Sequence, residues 1–265
     1  MSNAAPTADS SRRYDCRPPR PDRPSDCCCL ILKNPPELPD VATYSQEEQL
    51  SVGLAPTWNS PDITTNTFPP MKLLAEATVL VRNLSPKVTA VDAAVRASTS
   101  PFGIGTVRTA LSTQLMTLLP GGATLLRYPF TQAILQGEQS IGFHIDIDLS
   151  VDERMINNRG SQTAHAFATS VDGRSYSVQF AVRNPLTAPQ QITLAALAND
   201  LGAVVSPSAH SFAASEQIMA NLVFRVPAAL HGPPDGSVSR EVTVVGRGGD
   251  GKLIDGVTYL VRIDD

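Results

Sequence analysis

Val79-Leu80-Val81-Arg82-Asn83-Leu84-Ser85-Pro86 decides how this chain is read, because it returns 101 positions later as Phe180-Ala181-Val182-Arg183-Asn184-Pro185-Leu186-Thr187. In each copy an apolar, β-rich run ends in Arg-Asn, breaks at a proline and is followed by a second alternating run. That order is a strand, a turn and a strand. Further out, Leu118-Leu119-Pro120-Gly121-Gly122-Ala123-Thr124 stands where Phe212-Ala213-Ala214-Ser215-Glu216-Gln217-Ile218 stands in the second copy, both just ahead of a long strand. One motif met twice predicts one module used twice.

The first module is expected over 61–158, with strands at 75–81, 89–97, 105–111, 123–130 and 140–149; the second over 161–265, with strands at 175–183, 190–197, 203–206, 217–226, 240–246 and 256–263. In 140–149, Ile141, Phe143, Ile145, Ile147 and Leu149 alternate with Gly142, His144, Asp146 and Asp148, which predicts one buried and one wet face. Asp172-Gly173, Asp200-Leu201-Gly202, Gly248-Gly249-Asp250-Gly251 and Asp255-Gly256 read as turns. Asn157-Asn158-Arg159-Gly160 marks the hinge between the modules.

The bulk numbers agree with an all-β chain of two tandem immunoglobulin-like β-sandwiches. A length of 265 residues suits two domains of about 100 residues and a tail. Hydrophobic residues make up 42% and aromatics only 5%, so the cores must be aliphatic. A net charge of -4 lacks the basic excess that holds phosphate backbones and argues against nucleic acid as a partner.

Residues 1–40 carry eight prolines with interleaved arginines and aspartates, which predicts an extended or disordered arm, with 27–32 as a short apolar patch able to add to a strand edge. In the connecting segment 41–60, Ser45-Gln46-Glu47-Glu48 has the capping-box spacing of one helical turn. Trp58, the only Trp, reads as a core or seam plug. The first 26 residues lack the apolar region of a secretory leader, and no run reaches the roughly 18 apolar residues of a membrane span. The expectation is a soluble chain, cytoplasmic or exported by a leaderless route.

The order of strand, Val-Arg-Asn, short turn, alternating strand, Pro-Gly, long strand and Asn157-Asn158 exit resembles bacterial immunoglobulin-like and fibronectin type III-like modules, in particular the CARDB type of adhesion-related domain. The resemblance covers about 61–265 and is one of fold pattern. It implies a spacer, scaffold or binding surface.

Candidate chemistry is sparse. Cys16 and Cys27-Cys28-Cys29 are all the cysteines. Adjacent cysteines on an extended chain point to opposite sides, which suits a tetrahedral zinc site poorly. Packing as small hydrophobes leads; acylation or an intermolecular disulfide at Cys27, Cys28 and Cys29 follows. Asp146, Asp148 and Asp152, with Glu153 and Asn157, could gather around calcium at the module boundary, but the EF-hand spacing is absent and a solvated strand face is the simpler reading. His144 is expected on the wet face, and Asp250 and Asp255 as turn residues. There is no Gly-x-Ser-x-Gly elbow, no His-Glu-x-x-His pair and no phosphate-binding loop, so neither catalysis nor a cofactor is expected. The sequence points to a non-enzymatic structural or protein-interaction protein with a protein partner or self-association. The alternative is an accessory module that recognises carbohydrate or a substrate protein.

Overall fold

The computed structural model describes residues 38–65, 76–129, 141–170, 174–197, 199–227 and 238–264. In chain order its elements are β1 (Val41–Ala42), α1 (Gln46–Ser51), β2 (Ile63–Thr65), β3 (Glu76–Asn83), β4 (Ala90–Pro101), β5 (Gly103–Ile104), β6 (Thr109–Leu118), β7 (Ala123–Pro129), β8 (Ile141–Asp148), a 3-10 turn (Met155–Asn157), β9 (Arg159–Gln162), β10 (Ala164–Ser170), β11 (Ser175–Arg183), β12 (Gln190–Ala196), β13 (Val204–Ser206), β14 (Ala209–Phe212), β15 (Gln217–Arg225), β16 (Val238–Gly248) and β17 (Leu253–Asp264). The chain is all-β, as its period-two patterning predicts. No helix among the described residues is long and apolar enough to cross a membrane.

Among the described residues four sheets form two sandwiches of two layers each. β3 is flanked by β1 and β2 on one side and β7 on the other, and faces the sheet ordered β6-β4-β8-β9. Between them lies an aliphatic core of Val79, Val81, Val95, Phe143, Ile145 and their neighbours. The second sandwich packs β13-β15-β11-β5 on β10-β17-β16-β12-β14, around Phe180, Val182, Leu222, Val244 and Tyr259. Pro36–Asp265 is a single compact unit. The arm, with Cys16, Cys27, Cys28 and Cys29, lies outside the described residues, as do Asp172-Gly173 and most of the loop from His231 to Ser239.

The repeated motif is a structural joint. Asn83 is 1% exposed and Asn184 0%, and each ties its own turn to a partner sheet. The Asn83 amide donates to the carbonyls of Val88, Leu118 and Leu119, while its Oδ1 accepts from the amides of Asp40 and Ser85. The Asn184 amide donates to the carbonyls of Ala188 and Ala213, and its Oδ1 accepts from the amide of Leu186 and the side chain of Gln190. The main chain matches as well, with Asn83 N–H to Gly122 O and Asn184 N–H to Glu216 O, both at the second loop of the sequence overlay. An asparagine serves because it alone offers two donors and an acceptor on a short stem.

The two sandwiches differ in what lies beside the strand that carries the motif. β2 runs antiparallel to β3. Its counterpart β10 instead joins β17 in parallel, and the place next to β11 is taken by β5, so that Gly103 and Ile104 pair with Ala181 and Val182. Ile104, from the first stretch of the chain, is thus fully buried in the second core. That exchange is why 105–111 is not one strand: the chain leaves β5 at Gly105, with φ +66°, and re-enters the first sandwich at Thr109.

The segment 41–60 does more than connect. Ser45 caps α1, accepting from the Glu48 amide at 3.3 Å, as the capping-box spacing predicts. Gln46 is buried and donates to the carbonyls of Thr57 and Ser161. Trp58, 1% exposed, lies at the seam: its indole N–H donates to Asp255 Oδ1 at 2.8 Å, its backbone N–H to Thr258 Oγ1, and its carbonyl accepts from Thr163 N–H. Asp255-Gly256 is accordingly not a turn but the start of β17, with Gly256 pressed under the indole ring, where a Cβ would come within 2.6 Å of it. Pro39 and Asp40 also belong to the fold, since the Asp40 carboxylate is fully buried against Arg154 and Asn157.

Candidate functional site

Asp146, Asp148 and Asp152 do not converge. Asp146 and Asp148 share a face of β8, but each is taken by arginines: Asp146 by Arg159 at 3.2 Å and Arg108 at 3.6 Å, Asp148 by Arg96 at 2.6 Å. Asp152 accepts from the Arg154 amide and the Asn158 side chain; burial pushes its carboxyl above the usual range, against those hydrogen bonds. Among the described residues no three His, Cys, Asp or Glu side chains are grouped to hold a metal ion.

His144 is not on a wet face. It is 1% exposed, with Nε2 2.8 Å from Ser100 Oγ and Nδ1 2.9 Å from Ser161 Oγ. Burial first, and the charge of Arg108 second, hold its pKa well below 6.5. The ring is therefore neutral at pH 7, one nitrogen donating and the other accepting. The alternation of β8 is that of a half-solvated strand, but only its Asp146–Asp148 end meets water. The Gly142–His144 end is covered where residues near Thr163 pass to the second sandwich; a Cβ on Gly142 would lie 3.0 Å from Thr163 Oγ1. The Ser-His-Ser chain is sealed from solvent, so it serves as a cross-strand clip between β4, β8 and β9.

Two features remain open to a partner. The first is β6, which among the described residues is an edge strand paired only with β4. From Thr109 to Leu126, through β6, its turn and most of β7, no residue is charged. Leu115 is 71% exposed, and Leu119 and Leu125 are also exposed. Inward, Met116 and Leu111 pack on the core. Bulges bracket a regular run in which Ser112–Met116 pairs with Ala93–Ala97. Proteins ordinarily guard such edges with charge or proline, and β6 has neither.

The second is a cavity of about 380 Å³ between β5, β11 and β17, lined by Gly105, Thr106, Arg108, Arg183, Ile254 and Asp255 among others. Asp255 is held by Trp58 and the Gly256 amide, with Arg108 3.9 Å away. Burial raises its pKa, opposed by Arg108 and those donors. Neither feature was singled out by motif reading. The missing charge along 109–126 was visible in the sequence; the cavity was not, because it needs the β5 crossing.

No protein-family model and no curated protein matches the chain. Solved structures with some similarity include the periplasmic chaperone SfaE, at 16% identity and TM-score 0.28 over 39% of this chain and 55% of that one. The E. coli chaperone DraB stands at 14% identity and TM-score 0.24, over 38% of this chain and 58% of that one. CBD12 from CALX1.2 stands at 12% and 0.21, over 67% of this chain and 77% of that one. The chain spans a little over half the length of the two chaperones, and at these TM-scores the similarities carry no argument about a site.

Proposed function

We propose that this chain is a non-enzymatic protein-interaction module, built from two copies of one sandwich, that assembles with a second copy of itself along the β6 edge. The observation that carries the reading is the uncharged, exposed strand β6, whose outer side has no strand partner among the described residues. A two-fold interface requires a surface complementary to itself. An uncharged strand meets that condition when it pairs antiparallel with its own copy, since no like charges are brought face to face. The backbone groups on its free side supply the hydrogen bonds.

The rival reading, an accessory module for carbohydrate, needs exposed aromatic platforms. Among the described residues Trp58, Tyr128 and Tyr259 are buried and Tyr44 and Tyr176 half-buried, Tyr14 lying outside them, which favours the protein partner.

Light scattering after size exclusion tests the proposal. The full chain should run at about twice its 28.2 kDa mass at tens of micromolar, with or without reductant, and T113K/L115K as a monomer. Those two side chains point outward and leave Leu111, Met116 and Leu118 in the core. A wild-type monomer at every concentration, or a double variant as large as wild type, would defeat the proposal.

A further inference from the structure

Arg82 and Arg183 occupy the same place in the two occurrences of the motif, but among the described residues only Arg82 is paired with a carboxylate. Arg82 grips Asp62 with both arms of its guanidinium, NH1 to Oδ2 at 2.5 Å and NH2 to Oδ1 at 2.7 Å. Asp62 reaches it because β2 begins at the next residue and runs along β3. At the repeat spacing of 101 positions Thr163 stands where Asp62 stands, and the strand that follows it, β10, has gone to β17. What lies beside β11 is β5, which brings no acid.

Among the described residues the Arg183 side chain consequently has no hydrogen-bond or ion-pair partner. It is half-buried and lines the cavity with Arg108 and Asp255. Arg108 is already committed, at 3.6 Å to Asp146 and 3.9 Å to Asp255. The three ionisable groups of the lining, two arginines and one aspartate, carry one net positive charge, so a single carboxylate brings the cavity to neutrality. Gly105 shapes its wall: at φ +66° a side chain there would be strained, and its Cβ would collide with the Arg183 carbonyl.

We propose that this cavity binds a carboxylate from outside the described fold, held by Arg183 in the way that Asp62 is held by Arg82. The planar guanidinium offers two parallel donors, which match a carboxylate's two oxygens and discriminate against a neutral amide. The carboxylate comes from an acidic side chain of a peptide segment or from a small organic acid; the chemistry is shared.

Titration of the full-length, isotope-labelled protein, followed by NMR at the Gly105 and Arg108 amides, separates the two sources. One arm uses acetyl-Gly-Asp-Gly-amide with its Asn counterpart as control, the other succinate, and sodium sulfate is titrated for comparison. At least one carboxylate probe should saturate at millimolar concentration, with the Asn peptide silent and sulfate weaker. Affinity should fall at least tenfold in R183Q, fall less in R183K, and stay unchanged in R127Q, whose guanidinium lies on β7. R183Q should fold as wild type, since the Arg183 side chain has no partner to lose among the described residues; if it does not, R183K carries the comparison. Absence of saturable shifts with both carboxylate probes would overturn the proposal. So would equal binding of the Asn peptide, tighter binding of sulfate, or undiminished affinity in the Arg183 variants. Repeating the titration on T113K/L115K keeps the result independent of self-association.

Discussion

His144 spans two serines in a layer that water does not reach, and its chemistry follows from that placement. An unfolded chain binds a proton at this residue near pH 6.5, whereas the folded one refuses it until well below that value. The clip's contribution is therefore fully present above pH 6.5 and is lost as pH falls from there toward the folded pKa. Each pH unit within that window removes up to about 1.4 kcal/mol. His165, also depressed by burial, adds in the same direction. Urea unfolding at pH 7.5 and 5.5 should show a larger loss in wild type than in H144N, by about 1 kcal/mol. Equal losses would mean that another group carries the acid sensitivity.

Strand ends, more than strand middles, define the elements here. Asn83 and Asn184 each satisfy several buried carbonyls and amides at once, so removal leaves more than one polar group unpaired. N83A and N184A should each cost about 3 kcal/mol or more in denaturant unfolding, since each orphaned group costs about 1–3 kcal/mol. N83D should be worse than N83A, because a carboxylate set against the carbonyls of Val88, Leu118 and Leu119 repels where the amide donated. A milder N83D would show that the donors are dispensable. At the same scale, the cap of α1 and most strands could be read from the sequence because they depend on spacing within a few residues. β6 shares only Thr109–Leu111 with the strand expected at 105–111. Its central stretch, Ser112-Thr113-Gln114, has no strong apolar alternation, and its pairing with β4 is what makes it a strand.

For the whole molecule the question is whether two cores unfold as one. Trp58 joins them, bonded to Asp255 and Thr258 of β17 and packed on Gly256, and β5 carries Ile104 from one sandwich into the other. Both links favour a single cooperative transition. Trp58 is the only tryptophan, so its fluorescence reports on the seam while circular dichroism reports on both sandwiches; the two curves should coincide. W58A, expected to cost about 3–5 kcal/mol, should separate the sandwiches into two transitions visible by calorimetry. Fluorescence and dichroism midpoints that already differ in wild type would show that the seam opens first.

By itself the sequence determined the all-β class, the Arg-Asn joints and the placement of Trp58 in a core or seam. These rest on periodicity and on short-range turn chemistry, which are written along the chain. Only the tertiary structure decided that β10 joins β17 and not β11, that β5 lies beside β11 in its place, that His144 is sealed, and that the Arg183 side chain faces a cavity with no carboxylate paired to it among the described residues. Each of these depends on which strand lies beside which, a choice made by contacts between residues far apart in sequence that leave no local pattern in either strand.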